Sequence, residues 1–268
     1  MTDNLPRTLQ KGRIFKQKLA EGRAVSGAWS TLGSPEVACL MARAGLDYLL
    51  VDLEHGRGGI DGLAAQVQAL AGFDTAVMVR LPDHDTGSVK RCLDAGANCL
   101  LVPQVDNAEM AARVLEAALF PGAGRRGVAV GAIQAADWGY AADSYYTHAN
   151  DALTVLMQIE SPEAVANLDA ILALSRLDGL FVGPNDLSAT MGLFRQFEAP
   201  AFREAFDKVF DSTLAAGKVF GALPAPGLAL EALVQRGAQV VPGGSDQTML
   251  RGGAQTLVAG LKAAGGAA

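Results

Sequence analysis

Cysteine, histidine and long apolar runs are scarce in this 268-residue chain, and each scarcity excludes something. The three cysteines, Cys39, Cys92 and Cys99, are odd in number and form no C-x-x-C pair, which argues against a disulfide framework or a thiolate metal site. Their apolar neighbours mark them as small core residues. No stretch reaches the roughly 18 apolar residues needed to cross a bilayer. The charges of the N-terminal segment are followed by no apolar stretch, so no secretory signal is expected. Basic blocks are missing too. With 22 Lys and Arg against 28 Asp and Glu the formal net charge is −6, which disfavours nucleic acid and anionic membranes as partners. The expectation is a soluble, cytoplasmic protein with no membrane or nucleic-acid partner.

What the chain does have is apolar residues, at 50 %, and 31 glycines, enough for a full core and many tight turns. Eight short apolar runs recur: Ala24–Trp29, Tyr48–Leu53, Ala76–Arg80, Asn98–Val102, Leu153–Ile159, Gly179–Val182, Val219–Leu223 and Gln239–Val241. They do not strictly alternate, which is how strands buried on both faces read. Helical segments separate them. Ser34-Pro35-Glu36 and Ser161-Pro162-Glu163 are helix starts, with serine to cap and proline for the first turn. Ala44-Gly45, Ala95-Gly96, Ala216-Gly217 and Arg236-Gly237 are helix ends feeding strands. Eight such alternations predict an α/β fold, a (β/α)8 TIM barrel with residues 1–268 as one catalytic domain; a doubly wound open sheet is the alternative. Pro121 to Asp151 reads as one long irregular stretch, a length that marks functional loops.

In such a barrel the site lies where the strands end. The second run ends in Asp52-Leu53-Glu54-His55, the third in Arg80, the fifth in Gln158-Ile159-Glu160, and the sixth runs into Gly183-Pro184-Asn185-Asp186. Glu160 and Asp186 are oxygen ligands suited to Mg2+ or Mn2+; as single residues either also reads as a carboxylate favoured at a helix start. His55, three residues after Asp52, is a candidate base whose tautomer a carboxylate can fix. Arg80 ends an apolar strand, where a charge is paired or used: it faces a developing enolate or carboxylate, or makes a structural salt bridge. His84 and His148 read as surface residues. Gly122-Ala123-Gly124-Arg125-Arg126-Gly127 has the form G-x-G-x-x-G but follows a helix rather than a strand, so it is no dinucleotide site; Arg125 and Arg126 are left to reach an anionic substrate or a neighbouring subunit. No lysine falls at a strand C-terminus. A Schiff-base mechanism is therefore excluded, leaving metal-assisted enolisation.

Gly27-Ala28-Trp29, Asp52-Leu53-Glu54-His55-Gly56, Val79-Arg80-Leu81-Pro82, Leu93-Asp94-Ala95-Gly96-Ala97, Leu101-Val102-Pro103-Gln104-Val105, Arg125-Arg126-Gly127-Val128, Gln158-Ile159-Glu160 and Gly183-Pro184-Asn185-Asp186-Leu187-Ser188 follow one another from about residue 20 to residue 255. In that order and spacing they resemble the HpcH/HpaI family of class II, metal-dependent pyruvate aldolases. The resemblance implies cleavage or formation of 4-hydroxy-2-oxo acids from pyruvate and an aldehyde. It implies that Glu160 and Asp186 hold a divalent ion, Mg2+, Mn2+ or Co2+, with no organic cofactor. Trp29, Gln158, Gly183, Pro184, Asn185, Asp186 and Arg126 would line the substrate. His55, paired with Asp52, would be the acid and base, Arg80 would steady the enolate, and Asp94 would reach an adjoining subunit's site and tune the histidine. A homo-hexamer, a trimer of dimers with an exchanged last helix, would cover the apolar segment Thr248–Ala264. Where relatives carry Pro-Asn-Asp after Glu54-His55-Gly56, this chain has Arg57-Gly58-Gly59-Ile60-Asp61, so Arg57 is a candidate for the aldehyde end. Two rivals remain: a citramalyl- or malyl-CoA-type lyase of the same superfamily, and a non-catalytic ketoacid-binding barrel.

Overall fold

Seven of the eight apolar runs become strands in a computed structural model that describes residues 5–265: β1 Gly27–Ser30, β2 Tyr48–Asp52, β3 Ala76–Arg80, β4 Cys99–Val102, β5 Thr154–Ile159, β6 Gly179–Val182 and β7 Val219–Ala222. They pair in chain order, all parallel. The eighth run closes the ring with single bridges rather than a strand. Val240 bridges Val25 on one side and Gly221 on the other. The Gln239 N–H donates to Phe220 O at 2.9 Å, and the Val25 N–H donates to Gln239 O at 2.8 Å. Pro242, Gly243 and Gly244 follow at once; a proline has no N–H for the ladder and glycines weaken it, so regular pairing stops there.

The helices are α1 Arg7–Ala20, α2 Pro35–Arg43, α3 Ile60–Ala69, α4 Thr86–Asp94, α5 Ala108–Ala118, α6 Ala142–Ala152, α7 Pro162–Ala166, α8 Leu168–Leu172, α9 Pro184–Thr190, α10 Pro200–Ala215, α11 Leu230–Arg236 and α12 Asp246–Ala264. The predicted starts are real caps: Ser34 Oγ accepts the Val37 N–H and Ser161 Oγ accepts the Ala164 N–H. Two elements differ from expectation. α1 precedes the first strand and packs under the barrel, its Phe15 ring edge-on to Tyr48 at 5.7 Å. The stretch from Pro121 is not irregular throughout: it carries a 3-10 turn, Gln134–Gly139, and then α6. The polar composition of ADSYYTHANDA hides the face that seats Tyr145 and Ala149.

Alternation along the strands sorts side chains into two cores, and the sorting positions the site. Tyr48, Leu50, Ala76, Met78, Cys99, Leu101, Leu156 and Phe181 fill the barrel interior. Leu49, Val51, Val77, Val79, Leu100, Val155 and Val182 face outward under the helices. With a side-chain period of two, the next inward positions are Asp52, Arg80, Gln158 and Gly183. Strand register sets Asp52 beside Arg80. Among the described residues, the helix that finds least in its own chain is α12. Only Asp246 of it is buried, while Leu250, Leu257 and Leu261 are 64–66 % exposed.

Candidate active site

Glu160 and Asp186 meet above Gly183. A Cβ at Gly183 would overlap Glu160 Oε1 and come within 3.2 Å of Asp186 Oδ2, so only glycine leaves room for both carboxylates. Glu160 follows β5 directly and is 5 % exposed; Asp186 stands in the first turn of α9 and is exposed. The Gln104 N–H donates to Glu160 Oε2 at 3.2 Å, and the Gln158 amide donates to Glu160 Oε1. Burial first, then the charges of Asp186 and Glu54, push the Glu160 carboxyl up to about 7; the Gln104 N–H and the Arg80 guanidinium oppose them.

Arg80 is not a free cation. Its Nε and Nη2 fork onto Asp52 at 2.9 and 2.6 Å, and its Nη1 meets Glu54 Oε2 at 3.0 Å. Its guanidinium carbon lies 4.5 Å from the centre of the Trp29 ring. Burial alone would raise the Asp52 carboxyl; the Arg80 fork and the N–H groups of His55 and Glu54 outweigh it and hold Asp52 below the usual carboxylate range. This corrects the expected pairing of Asp52 with the His55 imidazole. Asp52 accepts only the backbone N–H of His55, at 3.2 Å. The imidazole itself is 69 % exposed, and the carboxylate nearest to it is Glu54, 3.8 Å from Nε2. Glu54 is thus a site residue that spacing did not reveal.

Trp29, Thr31, Asp52, Arg80, Leu223 and Ser245 line a cavity of about 370 Å3 beside this cluster. Trp29 is buried, and its indole N–H has no partner among the described residues. Pro184 is buried and Asn185 exposed at the start of α9. Arg57 is exposed, and its N–H donates to Thr31 O at 2.7 Å, which ties its loop to the rim. His84, expected at the surface, is half-buried against Pro103 O. The lysines stay away from the mouth: Lys218 donates to Leu174 O and Leu177 O, ahead of β6. A smaller cavity, about 210 Å3, lies at the opposite end against Lys11. Two of its polar liners, Asn98 and Gln134, spend their amide N–H groups on backbone carbonyls.

Arg126 does not reach the mouth of its own barrel, contrary to its expected substrate contact. It is 2 % exposed and packs with Asn98 and Leu153, the residues that lead into β4 and β5. Its Nη2 donates to Asp94 Oδ1 at 2.7 Å and to Tyr145 Oη at 3.2 Å, and its guanidinium lies over the Phe120 ring. Asp94, the last residue of α4, therefore also lies at the end where strands begin, away from Glu160 in the same chain.

The donor set fits a divalent cation. Among the described residues no three His, Cys, Asp or Glu side chains form a ready cage, but Mg2+ is typically held by one or two carboxylates with water and substrate completing the shell. Arg80 is engaged by Asp52 and Glu54, while Glu160 and Asp186 approach each other over Gly183 without a cationic side chain between them among the described residues, an imbalance that a dication would relieve. Gln158 Oε1 is buried beside them with no partner among the described residues, and the glycine notch at 183 keeps the space open.

A family model described as HpcH/HpaI aldolase/citrate lyase matches residues 25–252. A hydroxypyruvate/pyruvate aldolase of Deinococcus radiodurans is 39 % identical over 248 residues, covering 92 % of this chain and 89 % of that protein. A 4-hydroxy-2-oxo-heptane-1,7-dioate aldolase of Salmonella arizonae is 40 % identical over 245 residues, covering 91 % and 93 %. The crystal structure of a family protein from Burkholderia cenocepacia superposes with a TM-score of 0.88 at 30 % identity, covering 93 % of this chain and 99 % of that one.

Proposed function

The chain belongs to the HpcH/HpaI aldolase/citrate lyase family, and on that premise we propose that it is a carbon–carbon lyase that cleaves and forms 4-hydroxy-2-oxo acids, with pyruvate and an aldehyde as the two fragments. The observation that carries this reading is the meeting of Glu160 and Asp186 over Gly183 with Arg80 anchored nearby. A divalent cation, Mg2+, Mn2+ or Co2+, held by Glu160 and Asp186 would polarise the 2-oxo group as a Lewis acid. Gln158 offers the substrate an unused acceptor in the same wall. Arg80 has two N–H bonds left after its contacts with Asp52 and Glu54, and these stabilise negative charge developing on the 2-oxo oxygen. His55, exposed at the rim, takes the 4-hydroxyl proton in cleavage and returns it in synthesis. The carbon bond breaks between C3 and C4, and the aldehyde leaves through the cavity lined by Trp29 and Leu223.

Two further parts of the reading concern assembly and place. The bare apolar stripe of α12 is covered by a second copy, in a homo-hexamer built as a trimer of dimers with the last helix exchanged. Among the described residues no helix is long and apolar enough to cross a membrane, and the chain works as one catalytic unit in the cytoplasm.

The test is exchange of the pyruvate methyl protons into D2O with added Mn2+. Exchange that chelation and Glu160→Ala both abolish is expected, together with condensation products from a panel of aldehydes. No exchange with any of the three cations would overturn the proposal.

A further inference from the structure

We infer that Glu54 is a positioning residue for this reaction: one carboxylate spans Arg80 and His55 and sets both against the Glu160–Asp186 pair. The inference rests on the aldolase reading and deepens it at one position.

The sequence alone places Glu54 next to His55, where neighbouring side chains of an extended strand would point to opposite faces. The strand has ended, however. Asp52 Oδ1 accepts the N–H groups of both Glu54, at 3.1 Å, and His55, at 3.2 Å, and this side-chain-capped turn brings the two side chains to the same rim. Glu54 then divides its oxygens: Oε2 takes Arg80 Nη1 at 3.0 Å, and Oε1 faces His55 Nε2 at 3.8 Å. Its side chain is largely buried, so the charge is little screened by solvent.

Each contact has a consequence. Asp52 grips the Nε–Nη2 edge of Arg80 bidentately; because the guanidinium is planar and rigid, the freedom that remains is a tilt of its plane about that edge. Glu54 pins Nη1 against that tilt, and with it the direction of the two remaining N–H bonds. On the other side, the His55 imidazole has no hydrogen-bond partner among the described residues, and Glu54 is the carboxylate that draws its Nε2 toward the mouth. Removing the Glu54 charge leaves Arg80 tethered by Asp52 but misdirected, and leaves the imidazole free to turn to solvent. The two carboxylates at Gly183 that would hold the cation stay in place, so its binding changes far less than turnover does.

The experiment compares wild type with Glu54→Gln, Glu54→Ala and Glu54→Asp. Pyruvate proton exchange and aldol cleavage are measured together with Mn2+ affinity and melting temperature. We expect kcat to fall roughly 10- to 100-fold in Glu54→Gln, the usual loss when a supporting partner is removed. KM for pyruvate and melting temperature should stay near wild type, Mn2+ affinity should shift far less than kcat, and Glu54→Asp should recover part of the loss. A fall confined to kcat marks a role in the transition state rather than in binding or folding. Wild-type kcat in Glu54→Gln and Glu54→Ala overturns the inference. So does a loss that runs in step with melting temperature or Mn2+ affinity. A wild type that exchanges no protons defeats the aldolase reading itself, whatever the variants do.

Discussion

Gln104 presents its backbone N–H to Glu160 Oε2 at 3.2 Å while holding a left-handed φ of 49°. The conformation is costly for a residue with a Cβ, about 1 kcal/mol or more. The chain turns sharply after Pro103 so that a backbone donor, rather than a side chain, meets the carboxylate. Gln104→Gly removes the strain and keeps the donor. Relief of about 1–2 kcal/mol of strain, less the roughly 0.5–1 kcal/mol that a glycine adds to the entropy of the unfolded chain, should raise the melting temperature by about 1–3 °C. Calorimetry checks this; an unchanged or lower melting temperature removes the argument from strain.

Arg126, which is buried, pairs at the far end of the barrel with Asp94, which is one-fifth exposed, and taking Asp94 away strands the arginine. Asp94→Ala should cost about 3–5 kcal/mol, because the Arg126 charge stays behind in an apolar wall. The double variant Asp94→Ala, Arg126→Met should regain most of that loss, since Phe120 and Tyr145 offer the methionine an apolar seat. Denaturant unfolding of wild type, Asp94→Ala, Arg126→Met and the double variant measures the coupling. The same variants separate two roles for Asp94. If it serves only to hold Arg126, kcat at low temperature survives Asp94→Ala. A fall in kcat with unchanged stability gives it the role in a neighbouring subunit's site instead.

How far the sequence discloses this site depends on which physical signal each residue obeys. The strands were legible because burial on both faces leaves unbroken apolar runs, and six of the seven paired strands both begin and end within one residue of those runs; β1 starts three residues into its run. Glu160, Gln158, Arg80 and Asp52 were legible as mouth residues because they stand where those runs stop. What they touch was not legible. Arg80 meets Asp52 across a strand register 28 residues apart in the chain, and local spacing favoured His55 instead. Glu54 gives no such signal: extended geometry would turn it away from its neighbour, and only the turn capped by Asp52 reverses that. Arg126 misled through its place in a glycine-rich loop. Its position is decided by packing against Phe120 and Tyr145, on an element, α6, whose polar composition concealed it.

The exposed stripe of α12 carries its own prediction. Leu250, Leu257 and Leu261 recur at helical spacing on one side of the helix, and each is about two-thirds bare. Leu257→Asp with Leu261→Asp places two charges in the surface that the proposed second copy would bury. Light scattering of the wild type should give a hexamer, and of the double variant a smaller species with the far-UV spectrum retained. A monomeric wild type, or a variant of unchanged mass, removes the proposed exchange of this helix.

Glu160 links pH, stability and the cation. Its carboxyl is pushed from the ordinary 4.5 to about 7 by burial and by the charges of Asp186 and Glu54. Between these values the folded, metal-free protein keeps a proton that the unfolded chain has already released, so its stability falls as pH rises through the window. With about 1.4 kcal/mol per unit, the loss is on the order of 3 kcal/mol. The melting temperature of chelated protein should therefore drop between pH 5 and pH 8, and Glu160→Gln, which cannot ionise, should flatten the curve. A divalent ion reverses the trend, because it binds the ionised form and competes with the proton. Added Mg2+ should then stabilise the wild type more at pH 8 than at pH 5, by about 3 kcal/mol where the ion is at a hundred times its dissociation constant. If the metal-free melting temperature does not fall across this range, or Glu160→Gln follows the wild-type curve, the two carboxylates are not coupled as their approach over Gly183 requires, and the argument for a cation there loses its electrostatic ground.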